Sequence, residues 1–480
     1  MDKKTFFGRE NELKFLQKAY QSNKAEMIVL YGRRRVGKTE LLKEFCQQKP
    51  SVFYSCRKYT DQEQLRNFSK ALLKFSNGKH YTSSFESWDN AFSFIESFPQ
   101  DKKTIIVIDE FPYACNNNSA LPSILQIAWD SILSNCNIML VICGSAMSFI
   151  EDELLSEKNP LYGRATGIYK MLPMPYYDAI KFLPTFSVED KLVALSILGG
   201  IPHYLKQFNP NISLKDNIIE NILSKGRVLY SEVEFLLHEE LRETSVYNTI
   251  IQAIALGNNS FNEILVRTEI EKSKLSVYLK KLLELNILEK ELPSLSKDKD
   301  KTNSSKGSYI LTDNFFRFWF AYAYPNFSLL EMEDPLAVWE DFIQNNLHNF
   351  SSKSFEKICI EYMFVLNKNK KLPFRFTNIA RWWGKVTKPD GNGKLTTTSE
   401  EIDILASDSN QKNYIIGECK FTNEPFDLKQ LKKLQNKITF NGNIYYYLFS
   451  LNGFTDAVKE LAQNGNNIFL VSANDIMSAL

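Results

Sequence analysis

The chain has 480 residues, 44% of them hydrophobic and 24% charged, which is the composition of a soluble globular protein of about three domains. Its formal net charge of +2 neither requires nor excludes nucleic acid, so any basic surface must be local. Seven scattered cysteines without a C-x-x-C pair argue against a zinc site or a disulfide framework. No apolar run reaches the ~20 residues of a membrane span. We therefore expect a cytoplasmic protein with reduced thiols.

The first strong motif is the segment 32–39, Gly-Arg-Arg-Arg-Val-Gly-Lys-Thr, which matches the phosphate-binding pattern G-x-x-x-x-G-K-[ST] at every fixed position. It follows an apolar run at 27–31 and precedes a helix-like run at 40–46, the context that such a loop requires. Backbone N–H groups would surround phosphate oxygens, Lys38 would reach the β- and γ-phosphates, and the Thr39 hydroxyl would bind Mg²⁺. The predicted nucleotide-binding residues of this segment are Gly32, Arg33, Arg34, Arg35, Val36, Gly37, Lys38, Thr39 and Glu40.

A second apolar run, at 104–108, ends in Asp109 and Glu110. Such a run is typical of a parallel strand buried on both faces, and ligands gather at the carboxyl ends of such strands. We expect Asp109 to hold Mg²⁺, directly or through water, and Glu110 to polarise the attacking water. The acid pair indicates an ATPase and not a GTPase with a water-orienting glutamine.

Two further polar residues lie next to later strands. Ser145 comes after the apolar run 137–143 and would meet the γ-phosphate or the attacking water. Arg164 precedes a predicted strand at 168–172. Two interpretations of Arg164 stay open: a charge-stabilising finger, in its own site or a neighbour's, or a surface arginine in a salt bridge.

Several motifs over about residues 5–205 together resemble the prokaryotic ATPases of the AAA+/STAND group, in particular the archaeal-type ATPase family. The motifs are Phe7-Gly8-Arg9-Glu10-Asn11-Glu12-Leu13, the phosphate loop, Asp109-Glu110, Gly144-Ser145 and Gly199-Gly200-Ile201-Pro202. The resemblance implies that Phe7, Gly8 and Arg9 lie beside the adenine and that Pro202, in a helical lid, touches the base. His203 is interpreted as a packed lid residue.

The middle of the chain is predicted to be helical. Leucine and isoleucine at helical spacing from about 175 to 235 suit a lid. Helical runs at 247–256, 260–265 and 271–283, followed by short strands at 287–292 and 307–311, have the plan of a winged helix, with the polar insert 294–306 as a wing tip. The aromatic run 313–320 is predicted to be core.

The third of these helices is the candidate recognition helix of the winged helix. The side chains predicted to reach DNA phosphates or base edges are Ser273, Lys274, Ser276, Lys280 and Lys281. The alternative is an ordinary solvated helix face, or a winged helix that contacts protein.

The last third of the chain carries a second group of charged residues. The segment 401–406 alternates acid and apolar residues as a strand, and a polar turn leads to a second strand at 414–420. Paired as a hairpin, the two strands would bring Asp403, Glu418 and Lys420 together, with Glu418 and Lys420 on one face. Such a group can bind a divalent metal and activate water for phosphodiester cleavage.

This pattern resembles the PD-(D/E)XK nuclease superfamily, whose core has the order α-β-β-β-α-β, over about residues 350–480. The resemblance assigns metal binding to Glu356, Asp403 and Glu418, although Ile402 replaces the leading proline of the motif. Two alternatives stay open: a cross-strand salt bridge, or a nuclease fold that binds nucleic acid or partners without cutting. Residues 381–384, Arg-Trp-Trp-Gly, either contact nucleic acid or pack the domain.

We therefore predict an α/β protein: a P-loop NTPase parallel sheet with a helical lid, a winged helix-turn-helix and a restriction-endonuclease-like C-terminal domain. The predicted domains are 1–174, 175–236, 237–330 and 331–480. The predicted function is Mg²⁺-dependent ATP hydrolysis that gates a DNA-engaging or DNA-cleaving domain. The alternatives are a nucleotide-dependent signalling switch and a DNA-binding regulator. Expected partners are ATP or ADP, DNA, a protein partner and further copies of the chain in an oligomer, with no membrane.

Overall fold

The computed structural model describes residues 6–77, 84–147, 149–157, 159–241, 243–295, 307–389 and 395–478. Contacts divide the chain into two compact units: Met1–Met174 with Ile201–His203, and Pro175–Gly200 with Tyr204–Leu480. The division into the four predicted domains remains a prediction. Among the described residues, no helix has both the length and the apolar character needed to cross a bilayer. All seven cysteines have free thiols, as predicted.

The first unit is built on a five-stranded parallel sheet with the order β2-β3-β4-β1-β5. Its strands are β1 (Glu26–Tyr31), β2 (Ser51–Ser55), β3 (Thr104–Asp109), β4 (Ile138–Gly144) and β5 (Gly167–Lys170). Its helices are Glu10–Tyr20, Lys38–Cys46, Asp61–Asn77, Trp88–Ser93, Phe111–Asn117 and Leu121–Ser131. β1, β3 and β4 are buried along their whole length, because helices cover both faces of such a sheet. Their continuous apolar runs predicted this.

The second unit begins with helices. In chain order they are Tyr176–Ala179, Val188–Leu198, Pro202–Leu205, Leu214–Ile218, Val228–Glu240, Thr244–Ala255, Phe261–Thr268, Lys272–Glu284, Asn314–Phe318, Phe327–Glu331 and Pro335–Val338. Residues 202–203, which open the helix Pro202–Leu205, belong to the first unit. β6 (Leu288–Glu291) and β7 (Ser308–Leu311) form an antiparallel hairpin after the helix Lys272–Glu284. Three helices and a hairpin follow one another in the predicted order, while residues 296–306 of the predicted wing tip lie outside the described residues. The aromatic run is core, as predicted: Phe315, Phe316, Phe318, Trp319 and Phe320 are buried.

A second five-stranded sheet, with the order β12-β11-β10-β9-β8, ends the chain. Its strands are β8 (Asn378–Pro389), β9 (Leu395–Ser407), β10 (Asn413–Lys420), β11 (Asn443–Ser450) and β12 (Ile468–Ser472). Its helices are Leu347–Lys368, Leu428–Gln435, Asp456–Asn464 and Ala473–Ser478. β8, β9 and β10 pair antiparallel, whereas β10, β11 and β12 pair parallel. From the helix Leu347–Lys368 to β11, the order is helix, three strands, helix and strand.

A β-bulge interrupts β9 at Asp403. Ala380 of β8 pairs with Leu405 of β9, and Trp382 of β8 pairs with Ile402 of β9. Two steps along β8 therefore correspond to three steps along β9, so β9 holds one extra residue. Ile402 and Leu405 consequently lie in the same core cluster, which a strictly alternating strand would not allow. The regular alternation predicted for 401–406 is therefore wrong at this point. Gly417 of β10 permits the close approach, since a Cβ there would lie 2.9 Å from Cβ of Ile404.

Candidate functional site

The phosphate-binding motif forms the loop between β1 and the helix Lys38–Cys46, as its sequence context predicted. The start of the loop is held closely: the N–H of Met171 donates to the carbonyl of Tyr31 at 2.6 Å. A Cβ on Gly32 would lie 2.3 Å from the carbonyl oxygen of Met171, so only glycine fits. The glycine that opens the motif therefore has a steric reason in this chain besides its predicted role in phosphate binding.

Lys38 is folded back onto its own loop. Its Nζ donates to the carbonyl oxygens of Gly32 at 2.8 Å and Arg33 at 3.0 Å, and the residue is 5% exposed. Burial lowers the pKa of Lys38, and the nearby negative charges of Glu110 and Asp109 oppose that shift only in part. The ammonium group thus sits where phosphate oxygens can replace the loop carbonyls as its acceptors.

Thr39 and Asp109 meet at the same edge of the sheet. The Thr39 hydroxyl donates to Oδ2 of Asp109 at 2.8 Å, and the Ser55 hydroxyl donates to the same oxygen at 3.4 Å. The backbone N–H of Glu110 donates to the other carboxylate oxygen at 3.1 Å. Hydroxyl and carboxylate oxygens are the ligands that Mg²⁺ prefers, so these residues fit the expected ion.

Glu110 is held by Ser145. Its Oε2 accepts hydrogen bonds from the Ser145 hydroxyl at 2.8 Å and from the Ser145 N–H at 3.1 Å. The backbone of Glu110 has a left-handed conformation, with φ 54°, just before the helix Phe111–Asn117. Such a conformation is uncommon for a residue with a side chain and often occurs at functional sites. The predicted base and the predicted γ-phosphate contact are therefore direct neighbours.

Arg9 binds the phosphate loop itself. Its Nη2 donates to the carbonyl of Val36 at 2.9 Å, and its Nη1 donates to the carbonyl of Leu172 and to Glu12, both at 2.8 Å. Phe7 and Gly8, which precede it, are half-buried. Pro202 also lies against the loop, with its Cγ 3.8 Å from where a Cβ on Gly37 would stand. The adenine contacts expected of these residues stay a prediction.

The other predicted residues of the first unit lie at or near the loop or on the surface. Arg34 donates to the Tyr113 hydroxyl at 3.0 Å, and Glu40 pairs with Lys43 at 3.3 Å. Arg35 is exposed, with a left-handed φ of 70°. Arg164 forms a surface salt bridge of 3.1 Å with Asp130. This arrangement is the second of the two interpretations of Arg164, and a role in a neighbouring site stays a prediction.

In the second unit, the charged residues of β9 and β10 lie together. Oε1 of Glu418 pairs with Lys420 at 2.7 Å, and Oε2 pairs with Lys437 at 2.6 Å. Oδ2 of Asp403 accepts the backbone N–H of Cys419 at 2.8 Å. The bulge in β9 brings Asp403 to the backbone between Glu418 and Lys420.

The three acids predicted to bind metal, Glu356, Asp403 and Glu418, differ in their affinity for protons. Burial, followed by the charge of Asp403, raises the pKa of Glu356 to about 8. Burial, followed by the charge of Glu418, raises the pKa of Asp403 to about 6. Burial alone would also raise the pKa of Glu418, but Lys420 and Lys437 together lower it. Glu418 is thus an anion near neutral pH, while Glu356 keeps its proton.

The predicted metal ligands of the second unit do not form a ready ligand set. In the described ranges, no group of three or more His, Cys, Asp or Glu side chains is arranged to hold a metal ion. Both carboxylate oxygens of Glu418 are paired with lysines, and Glu356 lies 3.8 Å from Arg381. The geometry of this group therefore does not support a metal-dependent step.

Sequence reasoning missed two residues that contact the predicted ones. Ser55 ends β2 directly opposite Asp109 in the parallel register, and a polar residue after an apolar strand was its signal. Lys437 follows the helix Leu428–Gln435, and no motif singles it out. Of the tryptophans at 382–383, Trp382 packs against the core of the second sheet, as one of the two interpretations expected.

Comparisons with known proteins match both parts of the chain. A family model described as "ATPase domain predominantly from Archaea" matches residues 6–208, and one described as "Archaea bacterial proteins of unknown function" matches residues 319–436. The uncharacterized protein MJECL04 of Methanocaldococcus jannaschii is 33% identical over 416 residues, 87% of each chain. The uncharacterized ATP-binding protein MJ0423 of the same organism is 54% identical over 44 residues, 9% of this chain and 75% of that one.

Among solved structures, a Walker-type ATPase of Pyrococcus abyssi superposes with a TM-score of 0.51 at 21% identity, over 66% of this chain and 96% of that one. At this identity the similarity concerns the fold alone. Together with the match over residues 6–208, it confirms the predicted P-loop ATPase fold of the first unit. The model matching residues 319–436 has no described function, so the nuclease interpretation stays a prediction.

Proposed function

This chain belongs to the same protein family as MJECL04 and carries an archaeal-type ATPase domain, and we propose that it binds and hydrolyses ATP with the help of Mg²⁺. The observation that carries this proposal is the contact of Thr39 with Asp109, at the mouth of a complete phosphate-binding loop. Both oxygens lie where parallel strands end, which is where ligands bind in sheets of this kind.

Each residue of the site has a distinct task in this proposal. Lys38 exchanges the carbonyl oxygens of its loop for β- and γ-phosphate oxygens. Thr39 and Asp109 would hold Mg²⁺, which when bound neutralises phosphate charge. Glu110 takes the proton of the attacking water once its carboxylate leaves Ser145.

The test compares the ATPase activity of Lys38→Met with that of wild type and of Lys43→Met. Lys43 lies on the same helix, but its side chain is 58% exposed and pairs with Glu40. We expect Lys38→Met to lower phosphate release by about 10²–10³-fold, as removal of one charge-stabilising donor does in other enzymes. Lys43→Met should match wild type. Equal activity in all three proteins would refute the proposal.

We propose phosphodiester cleavage by the second unit as a second function, because the bulge in β9 brings Asp403 beside Glu418 and Lys420. The order of one helix, three strands, a helix and a strand supports a nuclease-like fold. Asp403, whose pKa is about 6, is poised to accept a proton from water near neutral pH. Lys420 would stabilise negative charge on a phosphate oxygen.

Cleavage is tested with labelled single- and double-stranded DNA, with and without Mg²⁺ or Mn²⁺ and ATP. Asp403→Asn should lose the activity, whereas Glu424→Gln, exposed in the turn after β10, should keep it. If Asp403→Asn cuts as fast as wild type, the cleavage proposal fails. If no protein cuts but nucleotide binding changes DNA affinity, the alternative of a nucleotide-dependent switch takes its place.

A further inference from the structure

The second unit contains a cavity of about 530 Å³ that the ATPase proposal does not use. Its wall includes residues 254–257, at the end of the helix Thr244–Ala255, and nine of the residues between 346 and 360, around the first half of the helix Leu347–Lys368. The cationic side chains in the wall are Arg317, Lys353, Lys357 and Arg381. The acidic ones are Glu291, Glu356 and Asp403. The volume is within the ~300–1,000 Å³ typical of small-molecule sites.

The charges in this cavity do not cancel. Arg381 pairs with Glu291 at 3.2 Å and with Glu401 at 2.7 Å, and Lys357 pairs with Glu289 at 3.5 Å. Within the described part of the chain, neither Arg317 nor Lys353 has a carboxylate within 4.0 Å, the limit for a salt bridge. These two positive charges of the wall therefore form no salt bridge in the described structure, although Glu356 acts on both of them and Glu401 and Glu263 act on Lys353 from a longer distance.

Arg317 is held rigidly with part of its donor capacity unused. Its guanidinium stacks on the Phe350 ring at 4.1 Å, and Nη2 donates to the Phe350 carbonyl and to the Ser354 hydroxyl, both at 2.9 Å. Its Nε is buried without a hydrogen-bond partner in the described structure. A fixed, planar guanidinium with spare donors suits the oxygens of a phosphate group.

The lowered pKa values of Arg317 and Lys353 support the same interpretation. Burial lowers the pKa of Arg317 to about 10. Burial, followed by the charges of Arg381 and Arg317, lowers the pKa of Lys353, and the charges of Glu356 and Glu401 oppose that shift only in part. Lys353 still has solvent-accessible surface, so an anion can reach it. A bound anion would offset the repulsion between these cations and favour their charged forms.

We propose that this cavity binds the phosphate group of a nucleotide or of a nucleic-acid strand end, held by Arg317 and Lys353. The site is separate from the phosphate loop of the first unit. It also does not depend on cleavage at Asp403, because binding needs only the two cations that form no salt bridge in the described structure. The rings of Phe350 and Tyr322 in the same wall offer apolar surface to the rest of the ligand.

The experiment uses the full chain with saturating MgADP, so that the phosphate loop is occupied, and measures binding by calorimetry. The probes are inorganic phosphate, thymidine monophosphate, and a ten-nucleotide oligothymidylate with or without a 5′-phosphate. Similar affinity for the monophosphate and the phosphorylated oligonucleotide identifies a mononucleotide site. Much tighter binding of the phosphorylated oligonucleotide identifies a strand end. If ADP does not bind, the same titrations without it still decide this proposal.

The matched variants are Lys353→Met and Lys357→Met, on one helix and in one cavity wall. We expect Lys353→Met to weaken binding of the phosphorylated probes about tenfold or more, and Lys353→Arg to restore it, since a charged hydrogen bond contributes about a tenfold effect or greater. Lys357→Met, which removes a lysine already paired with Glu289, should change binding less than threefold.

Arg317→Gln is a further variant, interpreted only if its thermal unfolding matches wild type, because Arg317 also holds the Phe350 carbonyl. The proposal is overturned if the wild-type protein binds none of the phosphorylated probes. It is equally overturned if Lys353→Met and Lys357→Met bind them alike.

Discussion

The Thr39 hydroxyl donates a 2.8 Å hydrogen bond to Oδ2 of Asp109, which lies 70 positions further along the chain. The two residues meet because Thr39 follows β1 and Asp109 ends β3, and β4 alone separates these parallel strands in the sheet. Parallel strands end at one edge, so the sheet topology assembles the site before any ligand arrives.

Glu110→Gln should separate nucleotide binding from hydrolysis. The amide keeps the size of the side chain but cannot accept a proton from water, so we expect ATP affinity within about threefold of wild type and turnover lower by about 10²–10⁴-fold. Fluorescent-ATP binding and single-turnover phosphate release measure the two effects. A parallel loss of binding and turnover would contradict a role for Glu110 as the base.

Arg9→Ala should destabilise the first unit and loosen the phosphate loop. The substitution leaves the carbonyls of Val36 and Leu172 and the carboxylate of Glu12 without their buried donor. We expect a loss of about 3 kcal/mol in the free energy of unfolding, with weaker ATP binding. Denaturant unfolding and nucleotide titration provide the readouts. Lys14→Ala, exposed on the next helical turn, is the control and should behave as wild type.

Glu356 should make the stability of the second unit depend on pH. The folded protein keeps the proton of Glu356 up to about pH 8, whereas the unfolded chain releases it near its ordinary value of 4.5. Between these values the folded state binds more protons, so the free energy of unfolding falls as the pH rises. Glu356→Gln stays neutral and removes this loss.

We therefore expect the melting temperature of Glu356→Gln, relative to wild type, to increase from pH 5 to pH 9. Glu424→Gln, at an exposed position, should show a constant difference across this range. Calorimetric scans at intermediate pH values locate the transition. A flat difference for Glu356→Gln would show that Glu356 titrates normally in the folded protein.

Lys437→Met should open one side of Glu418 to cations. The Lys437 ammonium group pairs with Oε2 of Glu418 at 2.6 Å, and Lys420 pairs with the other oxygen. Removing Lys437 takes away one of the two positive charges that pair with the buried Glu418 carboxylate. A divalent cation can then take the place of the missing ammonium group. We expect Mn²⁺ to raise the melting temperature of Lys437→Met more than that of wild type. Lys433→Met, exposed on the preceding helix, should respond as wild type does, and an equal response of all three would count against a cation site.

The helix Lys272–Glu284 allows a test of DNA binding by the proposed winged helix. The side chains of Lys274 and Lys280 are 69% and 80% exposed, and each approaches a glutamate only at 3.9 Å. If they contact phosphates, the Lys274→Ala, Lys280→Ala double variant should bind DNA more weakly and reduce the salt slope by about 2. Fluorescence anisotropy at several salt concentrations measures both. The control is Lys70→Ala, at an exposed position of the helix Asp61–Asn77 in the first unit. A salt slope of the double variant equal to that of wild type and of the control would indicate that this helix does not bind DNA.

The placement of the proposed nucleotide-binding residues could be predicted from the sequence because they occupy fixed places in a regular fold. The loop motif sets Lys38 and Thr39, and an apolar run that ends in acids sets Asp109 and Glu110 at the same sheet edge. The salt bridge of Arg164 with Asp130 could not be predicted in this way, since it depends on the relative positions of two surface segments that no motif fixes.

The charged group of the second unit was only partly predictable. A hairpin brings Asp403 near Glu418, but Ile402, Ile404 and Leu405 are all apolar, so the pattern does not reveal where an extra residue sits. Lys437 and Arg317 were missed for a similar reason. Lys437 follows a helix without any motif, and Arg317 stands in an aromatic run that was correctly predicted to be core.

The position of Asp403 depends on the one extra residue that β9 holds relative to β8. Deleting Ile404 would restore regular pairing with β8 and put Asp403 opposite Gly417, in the place that Ile404 now fills. Every charged residue of the group would still be present in the sequence. Loss of a single codon would therefore move Asp403 away from Glu418 and Lys420 without changing any residue that a motif search inspects.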